Sequence, residues 1–432
     1  MGIIWNFIRK NKIALIFLLI LLVGIFLRTY RFERFITFVA DQRRDLRVVE
    51  NVVENHASWP LLGPDMTDGQ GFHLGPIYYY FQIISAYIFG VGPTQQAYPD
   101  VFFSILSIPL LYYFLRSYFS QKAALLSMGL YAISYLDIEY SRFAWNVNLI
   151  PFFVLLFLVS FWRLLSEDGS SGWKWTALAG LSLGVGVQLH AIILLLLPLV
   201  IIISAILLFL IEKKNIWKKL LAVLAIALVL NAGQIISEER TGFANSKDFV
   251  RGFVSKGDLP ESSWQKRLAL DVACNAQANT HIISSLGNKK MCDFLYEDNL
   301  PDSSYATPIN LDQTPLVLVG ETISLLFSIL GISFLVFYLR GETDKKRKYF
   351  LGLILLYGAL YFLIMFPIAP GSRMRYFLPI IFMPFIFLSF IFDYLTKRYP
   401  KNYIWIISAI VIFLMAANGI SLAAYFRLER HW

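Results

Sequence analysis

Two carboxylates one helical turn apart, Asp41 and Asp45, stand in the stretch ADQRRDLRVVENVVEN with Arg43, Arg44 and Arg47 beside them. Leu46, Val49, Val52 and Val53 fall near one face of a helix, and Arg43, Arg47, Glu50 and Glu54 take the other. Such a helix lies flat on a membrane with its polar face toward water. Asp41 at its start can do one of two things. It can cap the exposed N–H groups of the first turn, or it can orient and deprotonate a hydroxyl at the membrane–water boundary. Arg44 and Asp45 stand beside it as candidate substrate-binding groups, as do His73 and Tyr78 further along in HLGPIYYYF.

Three other polar clusters interrupt apolar sequence. The first is YLDIEYSRFAWNVNLIPFF, with Asp137, Glu139, Arg142, Asn146 and Asn148. Arg142 there can snorkel from a membrane end or pair with Glu139, or it can bind a phosphate. The second is GVGVQLHAIILLLL, where Gln188 and His190 are either turn residues or site residues facing the bundle interior. Gly180, Gly184 and Gly186 just before them read as close helix contacts. The third is PIAPGSRMRY, which sets Arg373, Arg375 and Tyr376 at the start of a helix. Two guanidiniums in that place suit a lipid phosphate; interfacial anchoring by Arg and Tyr is the plainer reading. A P-loop, a dinucleotide glycine fingerprint, HExxH and paired CxxC are absent, and His56 and His73 are too isolated to argue a metal site.

The elements that must position these groups are hydrocarbon-loving. Of 432 residues, 57% are hydrophobic and 16% charged, with mean hydropathy +0.60, beyond the range of soluble domains. Apolar runs near bilayer length recur, so the chain reads as an all-α polytopic membrane protein. The net charge of +9 belongs to basic cytoplasmic turns rather than to nucleic-acid binding. The expected spans are Ile13–Leu27, Val101–Leu115, Ala123–Leu136, Leu149–Leu165, Thr176–Leu189, Ile192–Ile211, Leu220–Ile236, Leu316–Leu339, Tyr349–Phe366, Met374–Phe392 and Tyr403–Tyr425, roughly eleven in all. Ile13–Leu27 follows Arg9, Lys10 and Lys12 without a small-residue cleavage site and reads as a retained helix. Pro76–Gly92 is short and rich in tyrosine, and reads as a juxtamembrane helix. With it on the surface and the N-terminus cytoplasmic, Arg116 and Lys122, Lys213–Lys219, Arg340–Lys348 and Lys397–Lys401 all sort to one side. The polar clusters then share the outer face.

Also on that face is the loop 237–315, long enough for a cap or small subdomain between the modules 1–236 and 316–432. Cys274 and Cys292, the two cysteines of the chain, both lie within it. On an oxidising face they are expected to form a disulfide, worth up to about 3 kcal/mol.

VADQRRD after the first helix, then LLGP, HLGPIYYYF and SRFAWNVNLIPFF, and more faintly PGSRMRYFLPI, resemble the bacterial branch of the protein O-mannosyltransferase superfamily. Its relatives include the lipid A aminoarabinose transferases, and all share the GT-C glycosyltransferase fold. The resemblance implies transfer of a sugar from a polyprenyl-phosphate donor to a lipid, glycan or protein acceptor on the extracytoplasmic face, with inversion. It implies a multi-pass protein of the plasma or inner membrane. Asp41 matches the family's leading catalytic Asp, while Gln42 replaces its acidic partner. Leu74, with His73 adjacent, stands nearest to where the aminoarabinose enzymes carry a lysine. Asn146 and Asn148 follow Arg142 where the family commonly has an Asp. No cofactor is required on this reading; a divalent metal is compatible with it but not called for. The rival readings are a same-fold enzyme acting on a phosphate acceptor, a lipid-linked sugar flippase, and an inactive scaffold, for which Gln42 is the best argument.

Overall fold

In hydrocarbon every backbone N–H and C=O must be satisfied within the segment, so apolar runs of this length form helices. The computed structural model describes residues 2–66, 71–167, 172–213, 216–254, 263–286 and 314–427. Among them helix follows helix, and the one extended pairing is an isolated bridge between Asp65 and His73. The chain begins with α1 (Gly2–Thr29), a 3-10 turn (Phe32–Phe35), α2 (Ala40–Val53), α3 (Ile77–Phe89), α4 (Pro93–Gln96) and α5 (Tyr98–Arg116). It continues with α6 (Gln121–Ala132), α7 (Tyr135–Tyr140), a 3-10 turn (Asn146–Leu149), α8 (Ile150–Ser166), α9 (Gly172–Gly186) and α10 (Ala191–Glu212). Then come α11 (Trp217–Leu230), α12 (Ala232–Thr241), α13 (Ala244–Val254) and α14 (Trp264–Ser284). The C-terminal part holds α15 (Thr314–Gly341), α16 (Lys345–Met365), 3-10 segments Phe366–Gly371 and Met374–Ile380, α17 (Met383–Arg398) and α18 (Tyr403–Tyr425).

Seven of the described helices are long and apolar enough to cross a membrane. The number rises to nine if α11 with α12, bent by 66°, and Met374–Ile380 with α17, bent by 48°, each count as one span. The expected eleven is not reached, because α6 and α9 have only 12 and 15 residues. At about 1.5 Å per residue they fall short of a hydrocarbon core of about 30 Å. α3, with 13 residues, is short as expected.

α8 forms the centre: 83% of its apolar window is buried, against 11% for α1 and 22% for α15, which face outward. α9 and α11 approach closely because a Cβ on Gly180 or Gly184 would lie 2.8 Å from Ile226 or 2.9 Å from Ala227. The close-contact reading of those glycines holds. Gln188 is wholly buried and fastens three elements. Its Nε2 donates to the carbonyls of Gly184 (2.8 Å) and Leu230 (3.0 Å), and its Oε1 accepts from Ile77 N–H at 3.2 Å. It is a bundle clamp. Gly75 packs directly on the Gln188 side chain, and Gly63 packs on the backbone of Gly75, so neither has room for a Cβ. That close approach gives the LLGP and HLGP stretches a shared cause: Gly63 N–H donates to Leu74 O at 2.8 Å, and Leu74 N–H to Pro64 O at 3.0 Å.

The charge at the end of α1 is neutralised inside the protein. Arg28 is fully buried and ion-pairs with Asp137. It also donates to Ser104 Oγ (2.7 Å), Ala132 O (2.9 Å) and Gly24 O (3.1 Å). Tyr131 OH donates to the other oxygen of Asp137 at 2.9 Å. One guanidinium thus ties α1 to α5, α6 and α7. Removing one partner of a buried pair typically costs about 3–5 kcal/mol. Arg28→Met is therefore expected to lower unfolding stability in detergent by about that much, and Arg28→Met with Asp137→Leu by clearly less. A single variant as stable as wild type would show that the pair does not hold the helices.

Candidate active site

Asp41 occupies the first turn of α2, one-quarter exposed. The N-cap residue is Val39, whose N–H is received by Gln42 Oε1 at 3.1 Å, so Gln42 and not Asp41 closes that end. Arg44 lies between the two carboxylates, with Nη1 3.1 Å from Asp41 Oδ1 and Nε 2.9 Å from Asp45 Oδ1. Tyr79 OH donates to the same Asp45 oxygen at 3.1 Å. Asp45 is completely buried and its Oδ2 accepts no hydrogen bond. Burial pushes its carboxyl up to about 6, against the pull of Arg44. Burial also works against the Arg44 cation, but Asp45 and Asp41 outweigh it and raise its pKa. The result is a carboxylate at the surface held by a guanidinium that is itself held from below. Among the described residues, no three His, Cys, Asp or Glu side chains converge as a metal site would need.

Gln42 docks this turn onto the segment after α7. Its Nε2 donates to Ala144 O at 2.9 Å, while Gln96 Nε2 donates to Gln42 O at 3.3 Å. Trp145, the next residue, is pinned by its N–H to Asp100 Oδ1 at 3.1 Å, and Tyr78 OH donates to the other Asp100 oxygen at 3.2 Å. The Arg375 guanidinium lies over the Trp145 ring at 5.3 Å and over its neighbour Tyr376 at 5.4 Å. The Tyr376 ring is 5.5 Å from the ring of His190. His190 is buried and caps α10, its Nδ1 receiving Ile192 N–H at 3.2 Å. Burial, helped by the Arg375 charge, lowers its pKa to about 3 and keeps it neutral. Asn146 Nδ2 donates to Leu189 O at 2.6 Å. The run Ala144–Asn146 is therefore a seam: the carboxylate turn docks on it by Gln42, and the arginine turn by Arg375.

Other candidates are occupied with structure. Arg142 corrects the phosphate-binding reading, because it is fully buried and donates to the carbonyls of Leu27 (3.2 Å), Arg28 (2.8 Å) and Tyr30 (2.8 Å). Phe32 and Phe426 cover it at 5.3 Å. It caps the C-terminus of α1, where unpaired carbonyls and the helix dipole favour a cation. Tyr78 is likewise buried, with its hydroxyl on Asp100. His73 is half-buried, and its backbone N–H and carbonyl bond the Asn245 side chain at 2.6 and 3.0 Å, which fastens the segment between α2 and α3 to α13. Glu139 is buried on α7, and Arg373, half-buried, precedes the 3-10 segment that carries Arg375. Asp100, Trp145 and Tyr79 escaped sequence reasoning. A single acid in the apolar run YPDVFF was the available signal for the first. Cys274 is buried and disulfide-bonded; Cys292, its expected partner, lies outside the described residues.

Gln42→Glu would restore the acid that the resembling family carries. Glu keeps the acceptor for Val39 but cannot donate to Ala144 O, and its charge would sit in a site that is 2% exposed. A buried unsatisfied group costs about 1–3 kcal/mol. Gln42→Glu is expected to destabilise by at least that amount in thermal unfolding, and unchanged stability would refute the docking role.

Residues 73–234 match the family described as dolichyl-phosphate-mannose-protein mannosyltransferase. No curated protein matches the chain by sequence. Among solved structures, the chain is similar to the oligosaccharyltransferase AglB of Archaeoglobus fulgidus, in complex with an inhibitory peptide and a dolichol-phosphate. The TM-score is 0.56 at 14% identity, over 97% of this chain and 56% of that one. It is also similar to ArnT from Cupriavidus metallidurans in the apo state, with a TM-score of 0.55 at 13% identity over 96% of this chain and 74% of that one. ArnT bound to undecaprenyl phosphate gives 0.52, again at 13% identity, over 96% and 74%. The chain spans little more than half the length of the oligosaccharyltransferase. At these identities the likeness is one of fold.

Proposed function

We infer, from a fold similar to those of AglB and ArnT and from the match of residues 73–234 to the dolichyl-phosphate-mannose-protein mannosyltransferase family, a membrane glycosyltransferase of the GT-C type that moves a sugar from a polyprenyl-phosphate carrier to an acceptor hydroxyl. The observation that carries this reading is the docking of Asp41's turn and Arg375's turn on one seam, Ala144–Asn146. Structures of the same fold hold the carrier chemistry: dolichol-phosphate in AglB and undecaprenyl phosphate in ArnT. In this reaction the acceptor oxygen attacks the anomeric carbon while Asp41 receives its proton. The bond from that carbon to the phosphate oxygen breaks on the opposite side, so the configuration inverts. Arg375, with Arg373 near it, stabilises the phosphate charge that grows as the carrier leaves. Arg44 holds Asp41 in line and is buttressed by Asp45. A leaving group with one phosphate can be neutralised by guanidinium, so the reaction is drawn without a metal. The acceptor is a lipid, glycan or protein, and the sugar a hexose or pentose.

Asp41→Asn keeps the shape of α2 but cannot receive a proton. It should lose about 10²–10⁴-fold in sugar transfer by the purified protein while melting as wild type does. Arg375→Ala should instead weaken binding of polyprenyl phosphate by about 2–5 kcal/mol. A fully active Asp41→Asn protein would remove the base, and unchanged carrier binding in Arg375→Ala would move the phosphate site.

The site is assigned to the extracytoplasmic face and the N-terminus to the cytoplasm, because the basic turns sort together only that way. A cysteine introduced at Lys346, where α16 begins, should react with a membrane-impermeant maleimide only after intact cells are permeabilised. Labelling from outside would invert this orientation.

A further inference from the structure

Away from the seam, α14 and the start of α15 enclose a groove of about 580 Å³. Leu268, Val272 and Ala276 line it from α14, and Leu325 from α15. One wall belongs to a helix whose apolar surface is largely uncovered. α15 is a candidate span with only 22% of its apolar window buried, and its residues Val319, Ile323 and Leu326 are all more than half exposed. Trp264, 64% exposed, stands at the mouth, where an indole favours the membrane–water interface.

One lining side chain has nothing to bond. Gln277 is 7% exposed, and neither its Nε2 nor its Oε1 has a hydrogen-bond partner. A buried amide in that condition is rare in native proteins. It needs a partner that both donates to Oε1 and accepts from Nε2, which a hydroxyl does and a phosphate oxygen does not. The described lining contains the acid Glu321 and no Lys, Arg or His, which also disfavours an anionic headgroup.

We propose that the α14–α15 groove is a lipid-binding site for an uncharged, hydroxyl-bearing lipid, its chain along Leu268, Val272, Ala276 and Leu325 and its hydroxyl on the amide of Gln277. The groove shares no lining residue with the proposed carrier-phosphate site and does not depend on it. Its chemistry is the opposite of the arginine turn: apolar walls and a neutral polar contact instead of guanidiniums.

The test uses the full chain in phosphatidylcholine nanodiscs, with a photoactivatable dioleoylglycerol whose crosslinks are mapped by peptide mass spectrometry. Crosslinks are expected on the α14 and α15 segments that line the groove. They should be displaced by unlabelled dioleoylglycerol about two- to tenfold better than by its acetylated form, the range of one neutral hydrogen bond. Dioleoyl phosphatidic acid should displace them poorly. Ala273→Trp, which fills the groove, should abolish labelling there. Gln277→Leu, which leaves the groove open, should keep labelling but lose the preference for the free hydroxyl. Three outcomes overturn the proposal: labelling spread evenly over lipid-facing helices, equal displacement by phosphatidic acid, or wild-type indifference to acetylation, which would mean that water satisfies the amide. Near-ultraviolet circular dichroism of each variant keeps a misfolded protein from being read as a lost site.

Discussion

A cation cannot rest unpaired in a hydrocarbon-flanked interior, and the structure resolves this constraint at the end of α1. Arg28 turns inward to Asp137, and Arg142 reaches back to the carbonyls that α1 leaves open. Both contacts cross more than a hundred residues of chain. Together they fix α7 and the turn after it against the first helix. That turn continues into Phe143, Ala144 and Trp145, so the seam of the candidate site is positioned by charges that take no part in it. Desolvation makes such contacts weak sources of net stability but severe ones to break. Their value lies in permitting a single arrangement.

On this foundation the site is assembled from pieces that are far apart in sequence. α2 contributes the carboxylates, the 3-10 segment before α17 contributes the arginines, and the turn before α10 contributes a neutral imidazole. None of these packs on another through a large apolar face. Each is fastened by one or two directional hydrogen bonds or ring contacts to Ala144–Asn146 or its immediate neighbours. Lys in place of Arg375 would keep the charge but lose the guanidinium's contact over the Trp145 ring.

The apolar runs, the shortness of α3, the close-packing glycines and the clustering of polar groups around Asp41 were readable from the sequence. Those features are local or periodic. Arg142 was not readable, because a guanidinium before an apolar helix looks the same whether it caps a distant helix or binds a phosphate. Asp100 reads as an ordinary first-turn acid until Trp145 and Tyr78 are placed on it. The expected runs Ala123–Leu136 and Thr176–Leu189 overshoot the ends of α6 at Ala132 and of α9 at Gly186, because hydropathy continues past both. Serine, asparagine and glutamine hydrogen bonds, such as those of Asn231 to Gly184 and Ala227 at the bend between α11 and α12, decide where the axis breaks. Gln42 carries the same lesson. Against the family pattern it looks like a lost carboxylate, whereas in space it is the residue that joins α2 to the Ala144 turn.

That amide also sets how the site responds to acidity. A glutamine side chain has no proton to lose over the physiological range, and its partners here are a peptide N–H and a peptide carbonyl. Asp45, four residues along the same helix, is lifted by burial to about 6 and exchanges its proton in mildly acidic conditions. The clasp between α2 and Ala144 is therefore indifferent to a change that its own helix undergoes. Proton occupancy beneath Arg44 can vary while the alignment of Asp41's turn with the Trp145 turn stays put, which separates the ionisation of the site from its geometry.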